Sequence, residues 1–240
     1  MKSKEKIYKF HVKNLRSVES GMLQVARSIR KAISKDEKTI VDSFTRLFAL
    51  LLGVWSECRL CKLTFEPNAF NDIDIELIYD QPTQIDKWQK AIELAFRKHY
   101  KVPRAALSDT TLPHSVFARY TTLIGLLEND LKPIIELRNK LAHGQWIYPL
   151  NYDGNDIAQK QMDALRLENL LSLQYKAKIL SYITDIVNDL AVSESTFDRD
   201  FDKHYSLVIQ IRTNLSKHSY CNYERRLKQN YNTGRQHHAN

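Results

Sequence analysis

Apolar residues recur every three or four positions through most of this chain, and that period leaves few folds open to it. Ile40, Phe44, Leu47, Leu51, Trp55 and Cys58 follow it in one segment, and Leu170, Leu173, Ala177, Leu180, Ile183, Val187 and Leu190 in another. Each set lines one face of a helix and must be buried against a neighbour. The 240 residues include only six Gly and six Pro, too few for the turns of an all-β domain. With 43% hydrophobic residues the chain can close one sizeable core. The expected fold is all-α, a helical bundle of about five to seven helices.

The spacing predicts helices over 18–33, from Asp36 to before Pro67, and from a Thr83 cap to Tyr100. Residues 66–82 read as a loop, with a short extended piece at Ile73 to Tyr79. Pro103 and Pro113 bracket an irregular stretch. A further helix uses Val116, Tyr120, Leu123, Leu127 and Leu131, restarts at Pro133 and runs to His143, where Gly144 is a natural C-terminal cap. After an aromatic loop (Trp146, Tyr148, Tyr152) come a long helix over 157–191 and one or two more over 195–229. There is no internal repeat. The division expected is one domain over 1–231, with a basic N-terminal helix and a basic C-terminal extension, and a disordered tail over 232–240.

Several function classes are disfavoured. The longest apolar run, Leu47 to Trp55, falls short of the roughly 20 residues a bilayer needs, so no membrane partner is expected. The Lys-rich start lacks the apolar stretch of a signal peptide. Three Cys, an odd count, argue against a disulfide framework, and a reducing cytoplasm is the expected location. There is no Gly-rich phosphate loop. Cys58 and Cys61 with His218 and Cys221 could supply four zinc ligands. Cys58 continues an apolar stripe, however, and a free core cysteine is the ordinary reading. The Asp72, Asp74, Glu76 run alternates with Ile and reads as a half-exposed strand or loop rather than a metal site. Glu57 and Arg59 could reach a functional site, although a surface charge pair is the simpler reading. No metal or cofactor is expected.

The net charge of +8 is uneven. Residues 1–38 carry 11 Lys or Arg against 4 acids, residues 203–240 carry 7 against 1, and the middle carries 18 against 23. Basic ends on an acidic body suit contact with a polyanion, although Lys-rich termini also serve solubility alone.

One helix contains a contradiction. At about 100° per residue, Ile134, Ile135, Leu137, Leu141 and Ala142 share one arc, and Arg138 falls in the middle of it. Glu136, Asn139, Lys140 and His143 lie opposite. A buried guanidinium must be paired or meet an anion, or it costs several kcal/mol. It is either a structural arginine paired to a carboxylate of a neighbouring helix or part of a site. Asn139 and His143, four apart, share a face. Imidazole, carboxamide and guanidinium within six residues suit phosphate chemistry: His moves protons near neutral pH, and Arg grips a phosphate with two hydrogen bonds. Arg138 and His143 are five apart and diverge by about 140°. They converge only if the helix unwinds near Gly144, if the long Arg wraps around, or, the solution favoured, if the site is shared across a twofold dimer.

The run Arg138-Asn139-Lys140-Leu141-Ala142-His143-Gly144 resembles the signature of the HEPN superfamily (higher eukaryotes and prokaryotes nucleotide-binding domain), over about residues 110–200. The resemblance implies an α-helical bundle acting as a homodimer. It implies a metal-independent endoribonuclease of the toxin or anti-phage defence kind, with an antitoxin or defence-system protein as a further partner. It implies catalytic roles for Arg138, Asn139 and His143, with Lys140 adding attraction for the RNA backbone. One toxin subfamily carries a modified Tyr two residues after the His; Gln145 stands there in this chain. Some members are inactive and serve in dimerisation or in binding nucleotide or a partner. A basic nucleic-acid-binding helical protein is the third reading.

Overall fold

The computed structural model describes the backbone of residues 3–102 and 105–239, and side chains within those spans as far as Thr233. The expectation placed on Pro103 lies outside the described residues; of the tail expected to be disordered over 232–240, the backbone is described as far as Ala239 and is helical. The elements are α1 (Lys4–Ser34), α2 (Lys38–Thr64), α3 (Asp72–Tyr79), α4 (Gln84–Tyr100) and α5 (His114–Leu126), then a π-helical turn (Leu127–Leu131), α6 (Lys132–Ala142), α7 (Gln159–Leu167), α8 (Leu170–Val192), α9 (Glu194–Lys217) and α10 (Tyr220–Ala239). Among the described residues there is no strand beyond one isolated antiparallel bridge, Leu150 to Ile157. The chain is an all-α bundle. Because α5, the π turn and α6 form one continuous rod, there are nine separate rods among the described residues, above the expected five to seven.

The additional rods have local causes. Asn71 accepts the Asp74 N–H at 2.9 Å and Asp74 accepts the Asn71 N–H at 3.3 Å. This capping box starts a helix where a strand or loop was expected. Asp72 and Asp74 then sit in the first turn, where the helix dipole favours negative charge. A second box, Asn169 with Ser172 at 3.0 and 2.9 Å, starts α8 afresh and divides the long helix expected over 157–191. The α-helix restarts with Pro133 in the first turn of α6, as expected, but without a break in the rod: α5 passes through the π turn first, with the Lys132 N–H reaching back to the Leu127 carbonyl. A proline without an N–H relaxes the preceding turn, and the extra residue rotates α6 by about 100° relative to α5.

The first helix begins at Lys4 rather than near Val18. Its polar first half is held along the end of α2: the Lys4 ammonium donates to the Phe70 carbonyl, Tyr8 donates to Glu66 at 2.8 Å, and His11 stacks on Phe65 at 5.2 Å. Trp55 donates to Glu19 at 3.2 Å further along, so α1 and α2 run antiparallel. The core surrounds α2, which packs on α1, α6, α8 and α4. By length and composition α2 is apolar enough to cross a membrane, contrary to the reading of its apolar run alone. Its buried residues include Phe48, Leu52, Trp55, Leu60 and Leu63.

At Gly53 the helices α2 and α6 cross closely. A Cβ placed there would lie 2.4 Å from Arg138 Cβ and 2.7 Å from Arg138 Cγ. Only a residue without a side chain lets α2 and α6 meet at this depth.

Candidate active site

The crossing at Gly53 explains the arginine in the apolar arc. Ile134, Ile135, Leu137 and Leu141 of α6 are buried as expected, whereas Ala142 is exposed. The Arg138 stem lies over Gly53 and fills its place in the seam, while the guanidinium reaches the rim. One terminal nitrogen pairs with the Glu57 carboxylate of α2. The other donates to Asn139 Oδ1 at 3.0 Å. Gln84 Oε1, at the start of α4, is a long contact at 3.5 Å. The Arg138 side chain is 21% exposed, and its Nε is buried without a partner among the described residues. Burial pushes its pKa down from the ordinary value, so the pairing with Glu57 matters for holding the charge in place.

Gln84 ties the rim together, donating to the buried Ser56 hydroxyl at 3.1 Å, which itself donates to the Gly53 carbonyl at 2.7 Å. The expected surface pair of Glu57 with Arg59 does not form. Glu57 takes Arg138, and Arg59 donates to Asp185 of α8 at 2.6 Å. The two residues are 200° apart on α2, at about 100° per residue, and face different neighbours.

Arg138, Asn139, Glu57, Gln84 and Lys87 line a cleft of about 330 Å³ floored by Leu60, Cys61, Ile78 and Ile135. Tyr79 closes one side, with the Lys87 ammonium 5.3 Å from its ring centre. Burial pushes the Cys61 thiol up, and likewise the Tyr79 hydroxyl that bonds it. Cys61 is therefore held as a thiol and is a poor nucleophile.

His143 does not line this cleft. It is the exposed C-terminal cap of α6, and no side-chain hydrogen bond orients its imidazole among the described residues. The helix ends in a Schellman motif: the Gly144 N–H meets the Leu141 carbonyl at 3.1 Å and the Gln145 N–H meets the Lys140 carbonyl at 3.0 Å, with Gly144 at φ +75°. Because α6 stays α-helical through Ala142, Arg138 and His143 keep the divergence of the helical wheel. The structure brings Arg138 and Asn139 together and leaves His143 apart from them.

The remaining residues have clear local roles. The Lys140 ammonium donates to the Leu150 carbonyl and is half-buried against the loop. Gln145, at the position of the modified Tyr, accepts the Leu150 N–H at 2.8 Å. Trp146 Nε1 donates to the Leu141 carbonyl at 2.9 Å. These bonds fold the loop back onto α6, and Ile147, Tyr148 and Tyr152 of the loop remain exposed. No protein-family model, no curated protein and no solved structure matches the chain. The chemistry must therefore be argued from the residues. Among the described residues no three His, Cys, Asp or Glu side chains gather to hold a metal, so Cys58 and Cys61 do not join His218 and Cys221.

Two functional residues escaped the sequence reading. Gly53 carried a signal, since a glycine inside a helix costs about 1 kcal/mol against alanine and asks for a packing reason. Gln84 carried none, because its role depends on where α4 begins relative to α2.

Proposed function

We propose that the chain is a HEPN-type endoribonuclease that cuts RNA without a metal, at a site completed by a second copy of itself. The observation that carries this reading is the split of the motif. Arg138 and Asn139 sit in a cleft wall fixed by the α2–α6 seam, while His143 stands exposed at the helix end. Ile147, Tyr148 and Tyr152, in the loop that follows His143, are exposed apolar side chains that a twofold partner would cover. Two copies would then bring the guanidinium of one to the imidazole of the other.

In the proposed reaction the ribose 2′-OH attacks the adjacent phosphorus and the 5′-oxygen of the next nucleotide leaves. The products are a 2′,3′-cyclic phosphate and a 5′-OH. His143 transfers the proton, and Arg138 neutralises charge on the phosphorane-like transition state. Asn139 orients the phosphate and holds the guanidinium. Since the nucleophile is internal to the substrate, the step calls for no metal-bound water. A role as a toxin or anti-phage effector, in the cytoplasm and paired with an antitoxin or defence-system protein, follows from the resemblance.

Incubation of purified protein with RNA in excess EDTA tests the reading. Expected are fragments ending in 2′,3′-cyclic phosphate, and a loss of about 10²–10⁴-fold in rate for His143→Ala at unchanged melting temperature. Undiminished cleavage by that variant, or no cleavage by the wild type, would overturn the proposal. A second reading is favoured by the pairing of Arg138 with Glu57: a structural arginine in a silent module that dimerises or binds nucleotide. It predicts dimers without cleavage.

A further inference from the structure

The exposed side chains of α1 are arranged more strictly than its composition suggests. Lys6, Lys9, Lys13, Arg16, Arg27, Lys31 and Lys35 are all exposed. Their spacing of three and four, continued through Ser20 and Gln24, puts them within an arc of about 100° on one face. No acidic residue falls in that arc. Lys9 has Glu5 at 2.5 Å and Lys35 has Glu37 at 4.0 Å, both at exposed positions. Lys6, Lys13, Arg16, Arg27 and Lys31 have no ion pair among the described residues. The stripe runs about 43 Å from Lys6 to Lys35 at 1.5 Å per residue.

Such a line would repel itself at low salt unless a polyanion met it. The opposite face of α1, with Leu15, Ala26, Ile29 and Ile33, is buried, so this helix has no apolar face to insert into a lipid surface. Phe10, 40% exposed, stands just outside the arc, and a single ring gives single-stranded bases no row of stacking platforms. A stiff row of cations with hydroxyl and carboxamide groups between them matches the phosphates that a stiff duplex presents along one side.

We propose that the outer face of α1 binds the phosphodiester backbone of a nucleic-acid duplex without reading its sequence. The stripe is separate from the Arg138 cleft. α2 presents Glu57, Cys61 and Thr64 to the cleft, and Trp55, with Phe65 and Glu66 just beyond its end, towards α1, on sides roughly 150° apart. This binding therefore does not depend on the nuclease reading and survives its failure.

The test measures affinity against salt for full-length protein with RNA and DNA duplexes of about 25 base pairs, longer than the stripe. Single strands and phosphatidylserine vesicles are the other arms. If all seven cations meet phosphates, log K falls with log salt at a slope of about −6, a loss above 10³-fold between 50 and 200 mM. Combined Lys6→Gln, Lys9→Gln, Lys13→Gln and Arg16→Gln should make the slope shallower by about 3 to 4. A control removes four exposed cations elsewhere, Lys178→Gln, Lys203→Gln, Lys217→Gln and Arg225→Gln, and should leave the slope within about 1 of wild type. Comparison of the two duplexes shows whether RNA or DNA is preferred. Equal slopes for the two variants, tighter binding of single strands or vesicles than of duplex, or no duplex binding at low salt would each overturn the proposal.

Discussion

The two ends of α6 are built in opposite ways. At the Arg138 end the helix is pressed onto Gly53, and the guanidinium is fixed by Glu57, Asn139 and Gln84. At the His143 end the backbone is locked by the Schellman motif while the imidazole is exposed and unheld. Catalytic groups work when their geometry is set before substrate arrives. One half of the motif meets that condition within a single chain. The other half meets it only if something outside the chain supplies the missing contacts.

The comparison can be broken most sharply at the exposed end. Ile147→Asp with Tyr148→Asp should leave the fold intact, because both side chains are already exposed. The same change should shift sedimentation from dimer to monomer and lower RNA cleavage by about 10²-fold or more, as a displaced catalytic group does. An active monomer would show that His143 needs no partner. At the tight end, Gly53→Ala should destabilise by about 1–3 kcal/mol in urea unfolding, since the new methyl group meets the Arg138 stem. Unchanged stability would mean that the seam can open freely. Glu57→Gln should change stability by less than about 1 kcal/mol, because the pair sits at a partly exposed rim. By freeing Arg138 it should also tighten binding of RNA phosphate, measured with the His143→Ala background to prevent cleavage.

The smallest effect expected is a pH dependence far from the site. Burial against Phe65 pushes the His11 pKa down from its ordinary value. The unfolded chain then takes up a proton near pH 6.5 while the folded chain resists it to lower pH. The contribution of His11 to stability is complete above about pH 6.5 and is lost as pH falls through the folded-state value. His11→Gln should flatten that part of the stability curve; an identical curve would assign it to other groups.

Periodic segments were legible in the sequence. The stripe that built α8 needed only spacing, whereas in α2 the period announced the helix but not its buried face, which carries Phe48, Ala49, Leu52, Trp55, Leu60 and Leu63 and leaves Ile40 exposed; Thr83 marked the start of α4, accepting the Asp86 N–H at 3.2 Å. Alternating Asp and Ile in α3 imitates a strand, and the Asn71 cap overrides the pattern. The polar first half of α1 lacks a strong apolar stripe and depends on Phe65, Glu66 and Phe70 for its position. Within the site, the misfit of Arg138 and its divergence from His143 are properties of one helix and could be read from it. The choice of Glu57 over other carboxylates is set by the α2–α6 crossing, which no local pattern encodes.

The shared site is tested most directly by mixing two inactive variants. Arg138→Gln and His143→Ala are each purified, shown to be folded and inactive on RNA in EDTA, then combined and allowed to exchange subunits. In a twofold dimer each mixed pair regains one intact site, with Arg138 from one copy and His143 from the other. With half of the dimers mixed and one of two sites restored in each, about a quarter of wild-type activity should return. A mixture that forms mixed dimers and stays inactive would contradict the account.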